Sequence, residues 1–116
     1  VNPMPAEALK VVAAWGFTVK TMAGFTWHKT TKNGCDHFGM GNWTRANAEN
    51  CLFAVSGKPK RASAAVSQMI VSRVGKHSEK PAEARIGLEK LMGDTLRIEL
   101  FARQQVDGWT AWGDQL

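Results

Sequence analysis

Thr95-Leu96-Arg97-Ile98-Glu99-Leu100-Phe101-Ala102-Arg103 is the stretch that decides the fold. Leu96, Ile98 and Leu100 alternate with Arg97, Glu99 and Phe101, the period of two that marks a strand over 95–101. The strand leaves into a polar loop, Gln104-Gln105-Val106-Asp107-Gly108-Trp109, and the chain continues to Trp112-Gly113-Asp114-Gln115-Leu116. In open α/β sheets, ligands sit outside the carboxyl ends of the strands. Arg103 falls at such a position.

The strand is entered from a helix. Pro81 suits a first helical turn and Glu83 the positive end of the dipole. Ala84, Gly87, Leu88 and Leu91 keep the i, i+3, i+4, i+7 spacing of one face, Ile86 lies off it, and Gly93 is a stop. Near the start, Pro5, Glu7, Leu9, Val12, Ala13 and Gly16 predict a second helix over Pro5–Trp15. Between the helices, 17–20 and 25–29 alternate as two short strands. Cys51 to Val55 is an apolar run suited to a buried strand, and 66–71 is another strand. Thr30 to Gly41 is a polar, Gly-rich loop, of a length more often functional than idle. Asn42 to Asn50 shows no period. Strands with a helix leading into the last one predict an α/β fold with a mostly parallel sheet flanked by helices.

At 116 residues the chain predicts a single domain over 1–116. Its 44% hydrophobic and 22% charged content is that of a globular protein. No apolar run approaches the roughly 20 residues of a membrane helix, and no secretion signal is visible. Two cysteines make no disulfide framework, so reduced thiols and a cytoplasmic location are expected. Fifteen Lys and Arg against ten acids give +5, compatible with a polyanionic partner but not proof of one. Five Trp and no Tyr are present. Core packing accounts for most of these rings, while one or two could stack on a base.

Common chemical motifs are poorly matched. His28, Cys35, His37 and Cys51 fit no closed zinc spacing. Gly39-Met40-Gly41 lacks the rest of a nucleotide fingerprint. No serine sits in a nucleophile elbow, and Cys51 reads as core rather than nucleophile. Glu49 and Glu99 read as structural partners of Arg45 or Arg97. Lys58, Lys60 and Arg61 cluster on one turn, and Lys29 and Lys32 flank the long loop. Such groups are usually just solvated, but near Trp27 and Trp43 they could track a phosphate backbone.

One ordered set of blocks is specific. Trp15-Gly16-Phe17, Trp27-His28-Lys29, Gly39-x-Gly41-Asn42-Trp43-Thr44-Arg45-x-x-x-Glu49, His77-Ser78-x-Lys80-Pro81-x-Glu83, Glu99-Leu100-Phe101-Ala102-Arg103 and Gly108-Trp109-x-x-x-Gly113-Asp114-Gln115-Leu116 follow one another along the chain. Together they resemble the adenine-N6 methyltransferase family, which includes phage and bacterial DNA adenine methyltransferases and the catalytic subunit of the mRNA N6-adenosine methyltransferase. The resemblance covers essentially the whole chain. It implies a Rossmann-like methyltransferase fold and S-adenosylmethionine as cofactor. By resemblance, Lys80 would approach the methionine part, Arg103 the ribose, and Asp114 and Gln115 the ribose and adenine. Asp114 stands where the family more often has Asn; a carboxylate still accepts ribose hydroxyls. By resemblance the loop from Gly39 to Arg45, with Asn42, Trp43 and Arg45, would face the nucleic acid or the target base; the basic residues Lys29, Lys58, Lys60 and Arg61 are the candidates to join it there, and DNA is favoured over RNA as the target.

The family's catalytic tetrad, Asp-Pro-Pro followed by an aromatic residue, does not occur in these 116 residues. The lone pair of adenine N6 is delocalised into the ring. A carboxylate and a backbone carbonyl that accept its protons are what favour attack on a sulfonium methyl. The chain therefore resembles an N-terminally truncated family domain of phage or mobile-element type. It is expected to name no catalytic residue, to be inactive alone, and to expose a sheet edge that a second copy or a partner chain would complete. The alternative is a non-catalytic nucleic-acid-binding or partner subunit with the same fold.

Overall fold

A computed structural model describes residues 3–41, 43–76 and 79–116. Helix α1 (Pro5–Ala14) is followed by strands β1 (Thr18–Thr30), β2 (Ala48–Val55) and β3 (Met69–Arg73). Helix α2 (Ala82–Met92) leads into strand β4 (Ile98–Leu100), and strand β5 (Thr110–Trp112) closes the order. The helices begin and end close to where Pro5, Gly16, Pro81 and Gly93 place them. Pro5 stands in the first turn of α1, and the Gly93 N–H closes α2 on the Glu89 carbonyl at 2.9 Å.

The sheet differs from the expectation in three ways. First, the two short strands at 17–20 and 25–29 are one 13-residue strand, β1, whose pairing shifts register between Val19 and Thr21 and again between Thr21 and Phe25. Those irregularities break the alternation that a sequence pattern depends on. Second, the strands form two sheets among the described residues, in the orders β2-β1-β3 and β4-β5. β1 runs antiparallel to β2 and parallel to β3, and β4 runs parallel to β5. The α/β class holds, with mixed and parallel sheets. Third, the strand expected over 95–101 narrows to Ile98–Leu100, the one over 66–71 shifts to Met69–Arg73, and the one over 51–55 starts earlier, at Ala48.

The core lies on one side of β1 and β3. Phe25, Trp27 and Ile70 are buried there, with Val66, Val74, Ala84 and Leu88 packed against them. The Trp27 indole N–H donates to the Ser72 carbonyl at 2.8 Å, so this buried ring leaves no unpaired donor. Helix α2 reaches this core because residue 87 is glycine. A Cβ there would stand 2.9 Å from the Phe25 ring. No helix is long and apolar enough among the described residues to cross a membrane.

Candidate functional site

The β3–α2–β4 segment sets the site. Each of its strands pairs in parallel with a neighbour, and the loops that follow them border an open cavity of about 600 Å³. Lys76, Glu79 and Lys80 come from the loop after β3, and Arg85 and Leu88 from α2. Glu99 and Phe101 come from β4 and its end, Arg103, Gln104 and Trp109 from the next loop, and Gln115 from beyond β5. The last segment lies close because residue 113 is glycine, where a Cβ would stand 2.6 Å from the Ala102 carbonyl oxygen. Ala102 itself is buried, and its N–H donates to the Trp112 carbonyl at 2.9 Å.

Of the residues expected at the cofactor, Lys80, Arg103 and Gln115 share this lining, although they come from three separate segments. Asp114 is exposed and is not among the lining residues. Sequence reasoning missed Phe101 and Trp109 as lining residues. Phe101 carries a visible signal only in the backbone. Its φ of 60° lies in the left-handed region that a bulky side chain rarely adopts, and such strain clusters at functional sites. Its ring is exposed and meets Trp112 edge-on, 5.4 Å between centroids.

Lys80 is anchored. Its Nζ lies 2.6 Å from Glu49 Oε1, and the other Glu49 oxygen lies 3.5 Å from Lys29 Nζ. Lys29 sits over the Trp27 ring at 5.1 Å. Burial works to raise the Glu49 carboxyl, but the hydrogen bond and charge of Lys80, followed by the charge and hydrogen bond of Lys29, outweigh it and hold the carboxyl below its ordinary value. The partners of Glu49 are thus two lysines, not Arg45 or Arg97 as the sequence suggested. Arg97 instead donates to the Gly93 carbonyl at 2.6 Å, and Arg45 lies over the Phe38 ring at 4.9 Å.

The residues expected at nucleic acid are dispersed, and none of those described lines the cavity. Lys29 is committed to Glu49 and Trp27. Asn42 lies outside the described residues. Trp43 is fully exposed with φ 72°, again in the left-handed region. Arg45, Lys58, Lys60 and Arg61 are exposed. Cys51, expected in the core, is an exposed residue on β2. The protein around its thiol still pushes the thiol pKa up, which disfavours a nucleophilic thiolate. His28 pairs with Asp36 at 2.7 Å.

Cations, carboxylates, amide side chains and aromatic rings thus surround a cavity at strand carboxyl ends, the place where ligands sit in open α/β sheets. Comparison with known proteins gives the family. The chain belongs to the MT-A70 family, whose model matches residues 3–115. It is 34% identical over 114 residues to the type II methyltransferase M.MunI of Mycoplasma sp, covering 97% of this chain and 46% of that protein. It is 30% identical over 104 residues to the N6-methyladenosine RNA methyltransferase MTA1 of Cryphonectria parasitica, covering 90% of this chain and 30% of that protein. It is 34% identical over 79 residues to the N(6)-adenosine-methyltransferase catalytic subunit METTL3 of Homo sapiens, covering 66% of this chain and 14% of that protein. The chain thus spans less than half the length of each of these relatives.

Proposed function

We propose that this chain forms the cofactor-binding part of an S-adenosylmethionine-dependent adenine-N6 methyltransferase acting on DNA. The observation that carries this is the meeting of Lys80, Arg103 and Gln115 around one cavity. The cavity volume falls within the roughly 300–1,000 Å³ of small-molecule sites. The donor set also fits the cofactor. Lys80 supplies an ammonium for the methionine carboxylate, Arg103 supplies donors for ribose oxygens, and the Gln115 amide both donates and accepts, as an adenine edge requires. When bound, S-adenosylmethionine would supply an electrophilic methyl on sulfonium. What these residues contribute is position, because they hold the two ends of the ligand so that the methyl can be met in line.

Adenine N6 needs acceptors for its protons, and no Asp-Pro-Pro-aromatic run occurs among these 116 residues. This stretch therefore binds, and activation of the amine comes from residues outside it. By itself the stretch is inactive. DNA is the target proposed, on the longer match to a type II methyltransferase, over 97% of the chain against 90% for the RNA methyltransferase MTA1. A second reading, a nucleic-acid-binding subunit without chemistry, is favoured by the fully exposed Trp43 near the exposed Arg45. It requires salt-dependent nucleic-acid binding without cofactor affinity.

Calorimetric titration of S-adenosylhomocysteine into the chain separates the two. Binding by the wild type that weakens at least about tenfold in Arg103→Ala, the cost of a charge-assisted hydrogen bond, supports the cofactor reading. No binding by a chain with a cooperative thermal transition would sink it.

A further inference from the structure

We propose that Trp109 is a fixed wall against which the bound nucleoside packs, and that Glu89, outside the cavity, is the positioning residue that fixes it. This rests on the cofactor reading above. Trp109 lines the cavity and Glu89 does not. The Trp109 indole N–H donates to Glu89 Oε1 at 2.9 Å, in a partly buried contact that ties the ring tip to the last turn of α2. The backbone on either side of the ring is also held. The Trp109 carbonyl accepts from Gln105 Nε2 at 2.5 Å, and its N–H donates to the Val106 carbonyl at 3.1 Å.

The residue that caps α2 holds the other end of this loop system. Arg97, at the entry to β4, donates to the Gly93 carbonyl at 2.6 Å. Thr110, the residue after Trp109, donates to the Arg97 carbonyl at 2.8 Å. An indole has two side-chain torsions, and a bond at its tip restrains both. The wall is therefore set before a ligand arrives, and binding does not have to order it. Phe101, the other ring at the cavity, is exposed and lacks such a tie. Lys76 and Lys80 come from one loop, and Trp109 and Gln115 from elsewhere. The lining thus offers ammonium groups from one segment and an aromatic ring and an amide from others, alongside the carboxylates of Glu79 and Glu99, and the ring is the surface a purine would pack against.

The test is S-adenosylhomocysteine affinity in Glu89→Leu and Glu89→Gln. Both remove the charge, but only Gln keeps an oxygen that can accept the indole N–H. Loss of the tie in Glu89→Leu is expected to weaken binding about tenfold, with Glu89→Gln within about twofold of wild type. The Trp109 indole N–H resonance is expected to shift on binding in wild type and Glu89→Gln. Should Glu89→Leu not fold, Trp109→Phe takes its place, since it keeps a ring and loses the donor. Equal affinity in wild type and Glu89→Leu, or equal weakening in Leu and Gln, overturns the role of the tie. Wild-type binding that depends on Arg103 but not on Glu89 overturns this inference alone. No wild-type binding removes the cofactor reading and this inference together.

Discussion

The β2-β1-β3 sheet and the β4-β5 sheet divide the work unequally. The first holds Phe25, Trp27 and Ile70, each 6% exposed or less. The second leaves Leu96, Ile98, Leu100 and Trp112 exposed, and Ala102 is the buried residue beside it. Yet β4, β5 and the loops after them supply Glu99, Phe101, Arg103, Gln104, Trp109 and Gln115 to the cavity. Buried apolar side chains sit in the first region, while the cavity is lined from the second and from the loop and helix that follow β3.

The sharpest way to break this contrast is to remove a large side chain from each region. Trp27→Ala deletes a buried ring and its hydrogen bond to Ser72. It is expected to cost about 3–5 kcal/mol of unfolding free energy, a large part of the about 5–15 kcal/mol typical of a domain. Leu100→Ala, at a half-exposed position of β4, is expected to cost less than about 1 kcal/mol. Urea unfolding of both variants measures the difference. Equal costs would mean that the second sheet is as well buried as the first.

Glu49 joins the first sheet to the cavity, since it stands on β2 and holds Lys80 there. Its carboxyl pKa is lower folded than unfolded. The stability it contributes is therefore complete above the ordinary glutamate value of about 4.3 and is lost as pH falls through the lower folded value. The pair is partly exposed, so that contribution is expected to be under about 1 kcal/mol. In thermal melts, Glu49→Gln should lie below wild type at pH 7 and converge with it in acid. A constant gap at every pH would show that the carboxylate charge is not what matters.

The smallest expected effect on stability comes from Lys58, Lys60 and Arg61, exposed on the turn after β2. Replacing all three with Ser is expected to leave the melting transition unchanged. If the turn meets a duplex backbone, the variant also lowers the salt slope of DNA binding by about 0.9 for each phosphate it no longer neutralises. A slope equal to wild type would place the polyanion elsewhere, with the loop carrying Trp43 and Arg45 as the next surface to substitute.

The two regions also differed in how much of them could be read from sequence. Helix ends were legible because Pro and Gly punctuate them through backbone sterics alone. The strand at β4 was legible from its period of two, and Arg103 from its place just beyond. Which face of that strand turns inward was not. Arg97 and Glu99 are the half-buried residues, while Ile98 and Leu100 are exposed. β5, at three residues, is too short to show a period. The register shifts in β1 hid one strand as two. The partners of Glu49 lie 20 and 31 positions away in sequence, and only the pairing of β1 with β2 and the fold of the β3–α2 loop bring them together. The lining role of Trp109 was hidden for the same reason, since its tie to Glu89 crosses from loop to helix.

Hydrogen exchange with and without S-adenosylhomocysteine tests most directly whether the three segments form one ligand site. Slowed exchange is expected together in 79–85, 101–104 and 109–115, with no change in 57–61. Protection confined to the loop at 38–46, or none at ligand concentrations that saturate a calorimetric titration, would contradict a single site built from these segments.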